Sequence, residues 1–299
     1  MIDGLAVLDK PPGMTSHDVV AHCRRVFAQR RVGHAGTLDP DATGVLLVGV
    51  GRATRLLQFL SGHPKSYDAE VVLGVATSTL DASGETTGTW DMSGVTAEAA
   101  RAAAATLTGA ITQIPPMVSA IKIGGRRLHD LARQGIEVDR PPRSVVVSRF
   151  GVAPAADQDP GPLGGGPVLA ISVDCSAGTY VRTLAADLGA ALGGGAHLRR
   201  LRRRAVGPWT LRDAVALDDL GPGAVIGPAA ALRGMPAVSV DGELVGAVGH
   251  GQVLSGDRLA GPGTGPFAVL GPDGDLLAVY RPHGGDRVKP VVVMATQDR

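Results

Sequence analysis

The chain has 299 residues, of which 44% are hydrophobic and 19% charged, and its formal net charge is +1. This is the composition of a soluble globular protein, and no apolar run approaches the roughly 20 residues that a membrane span needs. The two cysteines, Cys23 and Cys175, are too few for a disulfide framework and lack the spacing of metal ligands. Because the N-terminus also lacks the pattern of a signal peptide, we expect a cytoplasmic protein without membrane contact.

Positive charge is concentrated in two places although the total is nearly balanced. The first arginine cluster is Arg24, Arg25, Arg30 and Arg31, and the second arginine cluster is Arg199, Arg200, Arg202, Arg203 and Arg204. Local basic patches attract phosphates even on a neutral protein. For the second cluster, a solvated face and a phosphate-binding face are both compatible with the pattern.

The first predicted elements are a strand and a helix. Val7 to Gly13 predicts a short strand that ends in a proline–glycine turn. Lys10, just before the two prolines, either steers a phosphate or braces this turn. Thr15 and Asp18 form a capping-box pattern, which predicts a helix with Cys23 on its apolar face.

The stretch Gly33 to Gly44 contains a candidate catalytic group. Its glycines and Pro40 predict an irregular loop, because glycine accepts backbone angles closed to other residues and proline disfavours helix in the residue before it. The apolar run Val45 to Val50 follows at once and predicts a strand buried on both faces. Asp39 is therefore held on a stiff loop beside the core, where it is either a catalytic carboxylate or an ordinary turn residue.

A second candidate group stands at the end of a predicted strand. Ser66 to Val75 alternates as a strand and places Tyr67 on the same face as core residues. Tyr67 is either plain core or a ring at the lip of a cleft. Asp81 lies in the polar turn that follows, where an Asx turn would engage its carboxylate. Thr96 to Leu107 then predicts an alanine-rich helix.

Another strand and helix are predicted later in the chain. Val168 to Cys175 forms the strand, and Thr179 is expected to cap a helix whose first turn holds Tyr180 and Arg182. A helix start carries a positive dipole end, so Arg182 is out of place there unless an anion lies nearby. The glycine- and proline-rich stretch Gly151 to Pro167 predicts a flexible surface insertion before the strand.

From about Pro236 the chain changes to short strands separated by glycine turns. Phe267 to Leu270 and Leu276 to Tyr280 flank a turn that contains Gly274, and this pattern predicts a hairpin. We therefore expect a small β module at the C-terminus.

Several separate blocks of this sequence, in this order, resemble the TruB family of tRNA pseudouridine synthases. The resemblance runs through about residues 5 to 210. Its blocks are Lys10 to Asp18, Gly33 to Leu46, Lys65 to Gly74, Pro115 to Lys122, Cys175 to Arg182 and His197 to Arg203. Any single block could arise by chance, whereas their joint occurrence in order is specific.

The resemblance implies an α+β fold with a mixed, largely antiparallel central sheet that is flanked by helices and crossed by a cleft. It also implies that the small C-terminal β-rich domain is similar to the PUA RNA-binding fold. We accordingly expect a pseudouridine synthase catalytic domain over residues 1–230 and a PUA-like domain over residues 236–299.

The implied activity is the isomerisation of uridine 55 in the T loop of tRNA to pseudouridine, by base flipping, Asp-dependent cleavage of the glycosidic bond and reattachment through C5. This isomerase would need no cofactor and no metal. It would bind the T arm of tRNA and act as a monomer without an obligate protein partner. Two alternatives are a tRNA-binding folding chaperone in which catalysis is secondary, and the catalytic subunit of a guide-RNA pseudouridylation particle.

Three residues match the family's catalytic positions. Asp39 matches the catalytic aspartate, Arg182 the arginine that pairs with it, and Tyr67 the tyrosine that stacks on the target base and is implicated in proton transfer. A carboxylate can start the cleavage without a cofactor, and Arg182 would favour its ionised form. Stacking on Tyr67, worth roughly 1–3 kcal/mol, would offset much of the cost of flipping the base.

Other positions are expected to contact the RNA. His34 matches a histidine of the RNA-contacting loop, and Tyr180 and Leu201 match residues that pack around the flipped nucleotide. The further candidate RNA contacts are Lys10, Asp81, Arg199, Arg202 and Arg203. His129 stands where relatives usually carry a tyrosine, so its role stays open, and Leu131 to Arg133 predicts a short helical segment.

Overall fold

The fold is described from a computed structural model, which covers residues 2–118, 122–123, 126–127, 136, 138–259, 261 and 263–294. The helical segment expected at Leu131 to Arg133 and the open role of His129 lie outside these described residues. The strands are β1 (Gly4–Lys10), β2 (Val32–Ala35), β3 (Thr43–Val50), β4 (Lys65–Leu73), β5 (Val75–Thr77), β6 (Thr86–Thr89), β7 (Gly109–Gln113), β8 (Lys122–Ile123), β9 (Arg126–Arg127), β10 (Arg143–Pro154), β11 (Val168–Cys175), β12 (Ala196–Val206), β13 (Trp209–Thr210), β14 (Val225–Ile226), β15 (Ala237–Ser239), β16 (Leu254–Ser255), β17 (Phe267–Leu270), β18 (Leu276–Pro282) and β19 (Arg287–Val293). The α-helices are α1 (Ser16–Val26), α2 (Leu57–Leu60), α3 (Ala97–Thr106), α4 (Val181–Ala191), α5 (Pro228–Ala231) and α6 (Gly242–Gly249), and 3-10 turns lie at Gly51–Leu56, Leu217–Asp219 and Pro222–Ala224.

Among the described residues, ten strands form one mixed sheet. Eight of them follow the order β14-β1-β3-β12-β4-β11-β10-β7, while β2 adds beside β3 and β13 beside β12. Its strand pairs are antiparallel except β3 with β12, which run parallel. Helices α1, α3 and α4 pack against the sheet through the larger apolar core. The expected α+β fold, with a mixed and largely antiparallel sheet flanked by helices, is confirmed.

Strands β1 and β3 lie deep in the fold because both of their faces are apolar. Ala6 and Leu8 of β1 face the larger core, whereas Leu5 and Val7 face a second core on the opposite side of the sheet. The run Val45 to Val50 is buried throughout, as predicted for a doubly buried strand. The loop that carries Asp39 thus leads directly into a fully buried strand.

Helices α1 and α3 begin where the sequence predicts them. Thr15 Oγ1 accepts a hydrogen bond from Asp18 N at 3.1 Å, and Asp18 accepts one from Thr15 N at 2.9 Å, so the capping box of α1 is confirmed. Thr96 Oγ1 caps α3 in the same way by accepting from Ala99 N. Cys23 is fully buried on the apolar face of α1. Within the part of the chain that the structure describes, no helix is long and apolar enough to cross a membrane.

The strand that carries Tyr67 is shorter than predicted. It ends at Leu73, and Val75 instead begins β5, which forms a separate two-stranded sheet with β6. Gly74 makes the break with a φ of +86°, and a Cβ there would lie 2.7 Å from Trp90 O. Glycine is therefore required at this turn, which the alternation of the neighbouring residues does not reveal.

The second arginine cluster lies on β12, in the middle of the sheet between β3 and β4. The sequence pattern did not predict this strand, because charged residues occupy both of its faces. The predicted insertion also begins later than Gly151, since β10 continues to Pro154. Gln158 Nε2 donates to Ala155 O at 2.6 Å and Val168 O at 3.0 Å, which ties the two ends of the loop together.

A smaller sheet forms the C-terminal module. Within the described residues its order is β15-β17-β18-β19-β16, and the predicted hairpin is confirmed as β17 and β18. Apolar residues of this module, among them Val279 and Val292, join the second core. Arg52 Nη1 also donates to Met294 O at 2.9 Å across the junction. The division into residues 1–230 and 236–299 stays a prediction.

Candidate active site

Asp39 lies on the loop between β2 and β3, which pair as an antiparallel hairpin. Two side chains that precede the loop in sequence fix it in place. Ser16 Oγ donates to Leu38 O at 3.1 Å and accepts from Leu38 N at 2.9 Å. Lys10 Nζ donates to Pro40 O at 2.8 Å. Because the residues on both sides of Asp39 are held, its backbone position is fixed.

Lys10 is fully buried beneath this loop. Its ammonium also donates to Pro11 O at 2.8 Å and to Met14 O at 2.7 Å. Burial lowers the pKa of Lys10 to about 8, while the nearby carboxylates of Asp41 and Asp39 oppose that change. A cation with three carbonyl partners and no exposed surface is already engaged within the protein. The structure therefore favours the brace for the turn, and the RNA contact considered for Lys10 stays a prediction.

Asp39 and Arg182 form an ion pair through two atoms of each group. Arg182 Nε lies 3.0 Å from Asp39 Oδ2, and Arg182 Nη2 donates to Asp39 Oδ1 at 3.1 Å. This paired geometry fixes the direction of the carboxylate. The arginine side chain is only 6% exposed, whereas that of Asp39 is 43% exposed. Asp39 is thus the anion that Arg182 needs at the start of its helix, and its carboxylate remains open on one side.

The guanidinium of Arg182 is held by further groups from two other loops. Its Nη1 donates to Thr79 O at 3.0 Å and lies 3.4 Å from Asp81 Oδ2. Its Nη2 also donates to Val118 O at 2.8 Å. These contacts hold the guanidinium in one orientation, in which one of its edges faces Asp39.

Helix α4, which carries Arg182, begins one residue later than expected. Tyr180 rather than Thr179 is its N-cap, and Thr179 Oγ1 donates to Ser176 O at 3.0 Å. Gln113 of β7 supports this helix start, since its Oε1 accepts from Tyr180 N at 2.9 Å and its Nε2 donates to Tyr180 O at 3.2 Å. The cap predicted at Thr179 was wrong because a side chain distant in sequence holds the helix start.

The carboxylate of Asp81 stabilises its own turn and also contacts Arg182. Its Oδ1 accepts from Thr79 Oγ1 at 2.6 Å and from Ser83 N at 3.1 Å, which is the Asx-turn role that the sequence suggested. Its Oδ2 faces Arg182. Since both oxygens have partners inside the protein, the structure favours the turn role, and the direct RNA contact considered for Asp81 stays a prediction.

The environment of Asp39 makes it more basic than a surface aspartate. Burial raises the pKa of the Asp39 carboxyl, Arg182 opposes the rise, and the like charge of Asp81 adds to it. A carboxylate with a raised pKa is a stronger base and nucleophile once it is ionised. The pair with Arg182 keeps that ionised form accessible.

Asp39 opens into a cavity of about 370 Å³. Tyr67 of β4, Leu201 of β12 and both Tyr180 and Arg182 at the start of α4 line this cavity. Five of the six residues assigned to catalysis or substrate binding from the sequence therefore meet around one space. The cavity is open to solvent and is large enough to hold a nucleobase.

Tyr67 is a core residue that also lines the cavity. The two alternatives offered by the sequence, plain core or a ring at a cleft, therefore both describe it. Its side chain is 7% exposed and belongs to the larger core. Burial raises the pKa of the Tyr67 phenol, and the adjacent Arg203 opposes the rise. The hydroxyl is therefore neutral at neutral pH and able to donate a hydrogen bond.

Arg203 is buried under the Asp39 loop and is 1% exposed. Its Nε donates to Val45 O at 2.7 Å and its Nη2 to Gly36 O at 2.9 Å, so it holds both ends of the loop. Its guanidinium also approaches the hydroxyl of Tyr67. Its donors already bind backbone carbonyls, which favours a structural role, and the RNA contact considered for Arg203 stays a prediction.

Two cations lie in the cavity wall, Lys65, which sequence reasoning missed, and Arg203, which it considered only as an RNA contact. Lys65 Nζ donates to His63 O at 2.8 Å and to Ser61 O at 3.1 Å, and burial lowers its pKa to about 8. A signal for Lys65 was present, because residues two apart on a strand share a face and Tyr67 is two residues on. Arg203 gave no such signal, since it is one of several adjacent arginines.

The rest of the second arginine cluster is neutralised by carboxylates from other strands and loops. Its ion pairs are Arg199 with Glu70 at 2.7 Å and Asp157 at 3.2 Å, Arg200 with Glu70 at 3.4 Å, Arg202 with Asp9 at 2.6 Å, and Arg204 with Asp68 at 3.0 Å. The side chain of Arg199 is only 9% exposed, and its RNA contact stays a prediction. Arg202 is 43% exposed, so its RNA contact stays a prediction.

His34 lies on β2, just before the Asp39 loop and outside the cavity lining. Its ring meets that of His17 edge to face, with 5.3 Å between the ring centroids. Burial lowers the pKa of His34 to about 4, with smaller contributions from His17 and Arg203, so its imidazole is neutral at neutral pH. The contact of His34 with RNA stays a prediction.

Family models match nearly the whole chain in three consecutive segments. Residues 24–181 match the N-terminal domain of the TruB family of pseudouridylate synthases. Residues 182–226 match a tRNA pseudouridylate synthase B C-terminal domain, and residues 235–295 match the C-terminal region of tRNA pseudouridine synthase II.

Individual relatives agree with these matches. The chain is 50% identical to the tRNA pseudouridine synthase B of Symbiobacterium thermophilum over 84% of this chain and 82% of that one. It is 45% identical to the protein of the same name from Mycolicibacterium paratuberculosis over 97% of both chains. A solved structure of an H/ACA RNP bound to a substrate RNA containing 2'-deoxyuridine is similar with a TM-score of 0.73 and 26% identity, covering 99% of this chain and 86% of that one.

Proposed function

The chain belongs to the TruB family of pseudouridylate synthases, and on that basis we propose that the cavity at Asp39 is where uridine 55 of tRNA is isomerised to pseudouridine. The relatives at 43–50% identity carry the name tRNA pseudouridine synthase B, and the protein is accordingly a tRNA-modifying isomerase. The observation that carries the site assignment is the two-atom ion pair between Asp39 and Arg182 in the wall of a cavity large enough for a nucleobase.

The reaction exchanges one bond of the ribose for another. The N1–C1′ bond of uridine breaks, the uracil turns while still bound, and C5 joins C1′. A proton leaves C5 and one is gained at N1, so no electron donor or acceptor is needed. The site must therefore supply a group that starts the cleavage, a surface on which the base can turn, and a route for the protons.

Asp39 is the group that starts the cleavage. Its carboxylate is fixed by Arg182 and faces the cavity, which is the arrangement that a positioned nucleophile or base requires. Burial raises its pKa and strengthens it as a base, while Arg182 retains the ionised form in which it reacts. The geometry suits attack on the ribose, attack on the base, or removal of a ribose proton.

Tyr67 and Leu201 provide the surface for the base. Stacking on the ring of Tyr67 offsets part of the cost of flipping the uridine out of its loop. Leu201 contributes an apolar part of the cavity wall and helps to exclude water, which would otherwise intercept the severed sugar. The neutral hydroxyl of Tyr67 lies in the same cavity and is the group proposed to take part in proton transfer.

The same proposal covers the RNA segment that binds, the cellular location and the oligomeric state. The T arm of tRNA is the part that binds, and the protein works in the cytoplasm as a monomer that needs no guide RNA and no partner protein. The H/ACA assembly is a property of the structurally similar protein, and this chain is more similar to the tRNA pseudouridine synthases named above.

The test is to incubate the purified chain with an unmodified tRNA transcript and to map pseudouridine afterwards. We expect one product, at position 55, without any added RNA or protein. The matched control is Asp39→Asn, which keeps the shape of the side chain and removes the charge. It should yield no product while its affinity for the transcript stays close to that of the unaltered protein.

Three other results are possible, and each would contradict a different part of the proposal. Product formed by Asp39→Asn at the normal rate would remove Asp39 from the mechanism. Binding without product by the unaltered chain would favour the RNA-chaperone alternative, and product only after a guide RNA is added would favour the guide-RNA alternative.

A further inference from the structure

The two arginine clusters differ in their electrostatic surroundings. Four arginines of the second cluster pair with carboxylates, and the fifth, Arg203, is buried on carbonyls. All four arginines of the first cluster are exposed, and none forms an ion pair with a carboxylate in the described ranges. The first cluster therefore retains its positive charge, whereas the second has little to offer an anion.

Nearby carboxylates do not neutralise the first cluster. Asp18, on the same helix, is occupied by the capping box with Thr15. Asp3 is taken by Arg52, whose Nε lies 2.7 Å away. The first cluster is a surface of unbalanced positive charge on a protein whose total charge is close to zero.

The position of the first cluster connects it to the candidate active site. Arg24 Nη2 donates to Val32 O at 3.2 Å, which ties the end of α1 to the start of β2. The other end of β2 carries His34 and leads into the Asp39 loop. His17, which touches His34, and Arg24 are seven residues apart on α1, so they share a helix face and stand about 10 Å apart.

We propose that the first arginine cluster binds the phosphate backbone of the RNA whose target base enters the Asp39 cavity. A backbone that passes His34 continues along His17 and the exposed face of α1 to Arg24 and its neighbours. Such contacts position the RNA without reading its sequence. The proposal rests on the proposed function, because it takes the cavity to hold a nucleotide.

Arg25 and Arg30 are the best residues for a test, since neither makes a side-chain hydrogen bond within the described chain and their loss should leave the fold intact. The test variant is Arg25→Gln with Arg30→Gln in the full chain. Arg25→Lys with Arg30→Lys preserves the charge. The matched control, Arg200→Gln with Arg204→Gln, removes the same charge from the second cluster. Thermal unfolding of each variant checks the fold.

The measurement is the affinity for an unmodified tRNA transcript at several salt concentrations. We expect the Gln variant of the first cluster to bind more weakly, with the slope of log affinity against log salt reduced by about two, one for each phosphate contact. The Lys variant and the matched control should keep the slope of the unaltered protein. The single-turnover rate of the matched control, measured at saturating enzyme, should equal that of the unaltered protein.

An unchanged slope in the Gln variant of the first cluster would overturn the proposal. An equal reduction in the matched control would also overturn it, because total charge and not this surface would then control binding. Binding is measured without turnover, so an unaltered protein that binds tRNA but makes no pseudouridine disproves the proposed function and not the role of the cluster.

Discussion

At the scale of single residues, the candidate site depends on a few side chains whose charges are coupled. Asp39 needs its negative charge to react, and that charge is stabilised by Arg182 and destabilised by burial and by Asp81. A carboxylate with a raised pKa loses its charge at a higher pH than usual as the solution becomes acidic. The activity should therefore fall, on the acid side, as the pH drops through this raised pKa.

Asp81→Asn tests this coupling. The substitution removes the like charge near Asp39 but leaves an oxygen to accept from Ser83 N and keep the turn. It should lower the pKa of Asp39, so the acid limb of the single-turnover rate should move to lower pH. Ser83→Ala is the control, since it loosens the same turn without changing charge and should leave the limb in place. A limb that stays or moves upward in Asp81→Asn would contradict the coupling.

Tyr67→Phe separates stacking from proton transfer. The phenylalanine ring keeps the packing surface, so affinity for tRNA should be unchanged. The single-turnover rate should fall by roughly 10²–10⁴-fold if the hydroxyl moves a proton. A rate equal to that of the unaltered protein would mean that Tyr67 is only a surface for the base.

At the scale of elements, the Asp39 loop is held where β3 meets β12. Arg203 of β12 bonds to the backbone on both sides of the loop, while its own backbone lies against Gly44 at the start of β3. Gly44 has a φ of +102°, and a Cβ there would lie 2.2 Å from Arg203 O. The close approach of two backbones therefore sets the loop and requires glycine at this position.

Gly44→Ala should lower the free energy of unfolding by more than about 1 kcal/mol, because it meets both an unfavourable φ and a contact with backbone. Gly13→Ala is the matched control, since Gly13 also has a positive φ, +78°, but no atom within 4 Å of an added Cβ. Denaturant unfolding of both variants measures the difference. Equal losses would show that strain in φ, and not the contact with β12, accounts for the effect.

At the scale of the whole molecule, the two sheets share a core. Leu5 and Val7 of the larger sheet belong to the same buried cluster as Leu276 and Val292 of the smaller one. Trp209 also lies in this cluster and is 2% exposed. A core shared in this way couples the stability of the C-terminal module to that of the catalytic sheet.

The full chain should consequently unfold in one cooperative transition. Trp209 reports on the shared core in a Trp90→Phe background, because the chain has only two tryptophans and Trp90 is 45% exposed. Its fluorescence and the far-UV circular dichroism should change at the same denaturant concentration. Leu276→Ala should move both transitions together and lower stability by about 2–5 kcal/mol. Two separate transitions would show that the module unfolds independently.

The sequence by itself determined the parts that rest on local pattern. The capping box at Thr15, the buried run after the loop and the C-terminal hairpin follow from spacings of a few residues, and the structure confirms them. Asp39 and Arg182 were also singled out from the sequence, in part because an arginine at a helix start needs an anion. Their ion pair, although it joins residues 143 apart, satisfies that local requirement.

Only the tertiary structure decided which cations are free. Arg202 pairs with Asp9, 193 residues away, and Arg199 pairs with Glu70, 129 residues away, so the sequence near these arginines gives no sign of neutralisation. Lys10 and Arg203 are likewise buried on carbonyls that the fold brings to them. The charge of a side chain can be read from the sequence, but its availability depends on the partners that folding places around it.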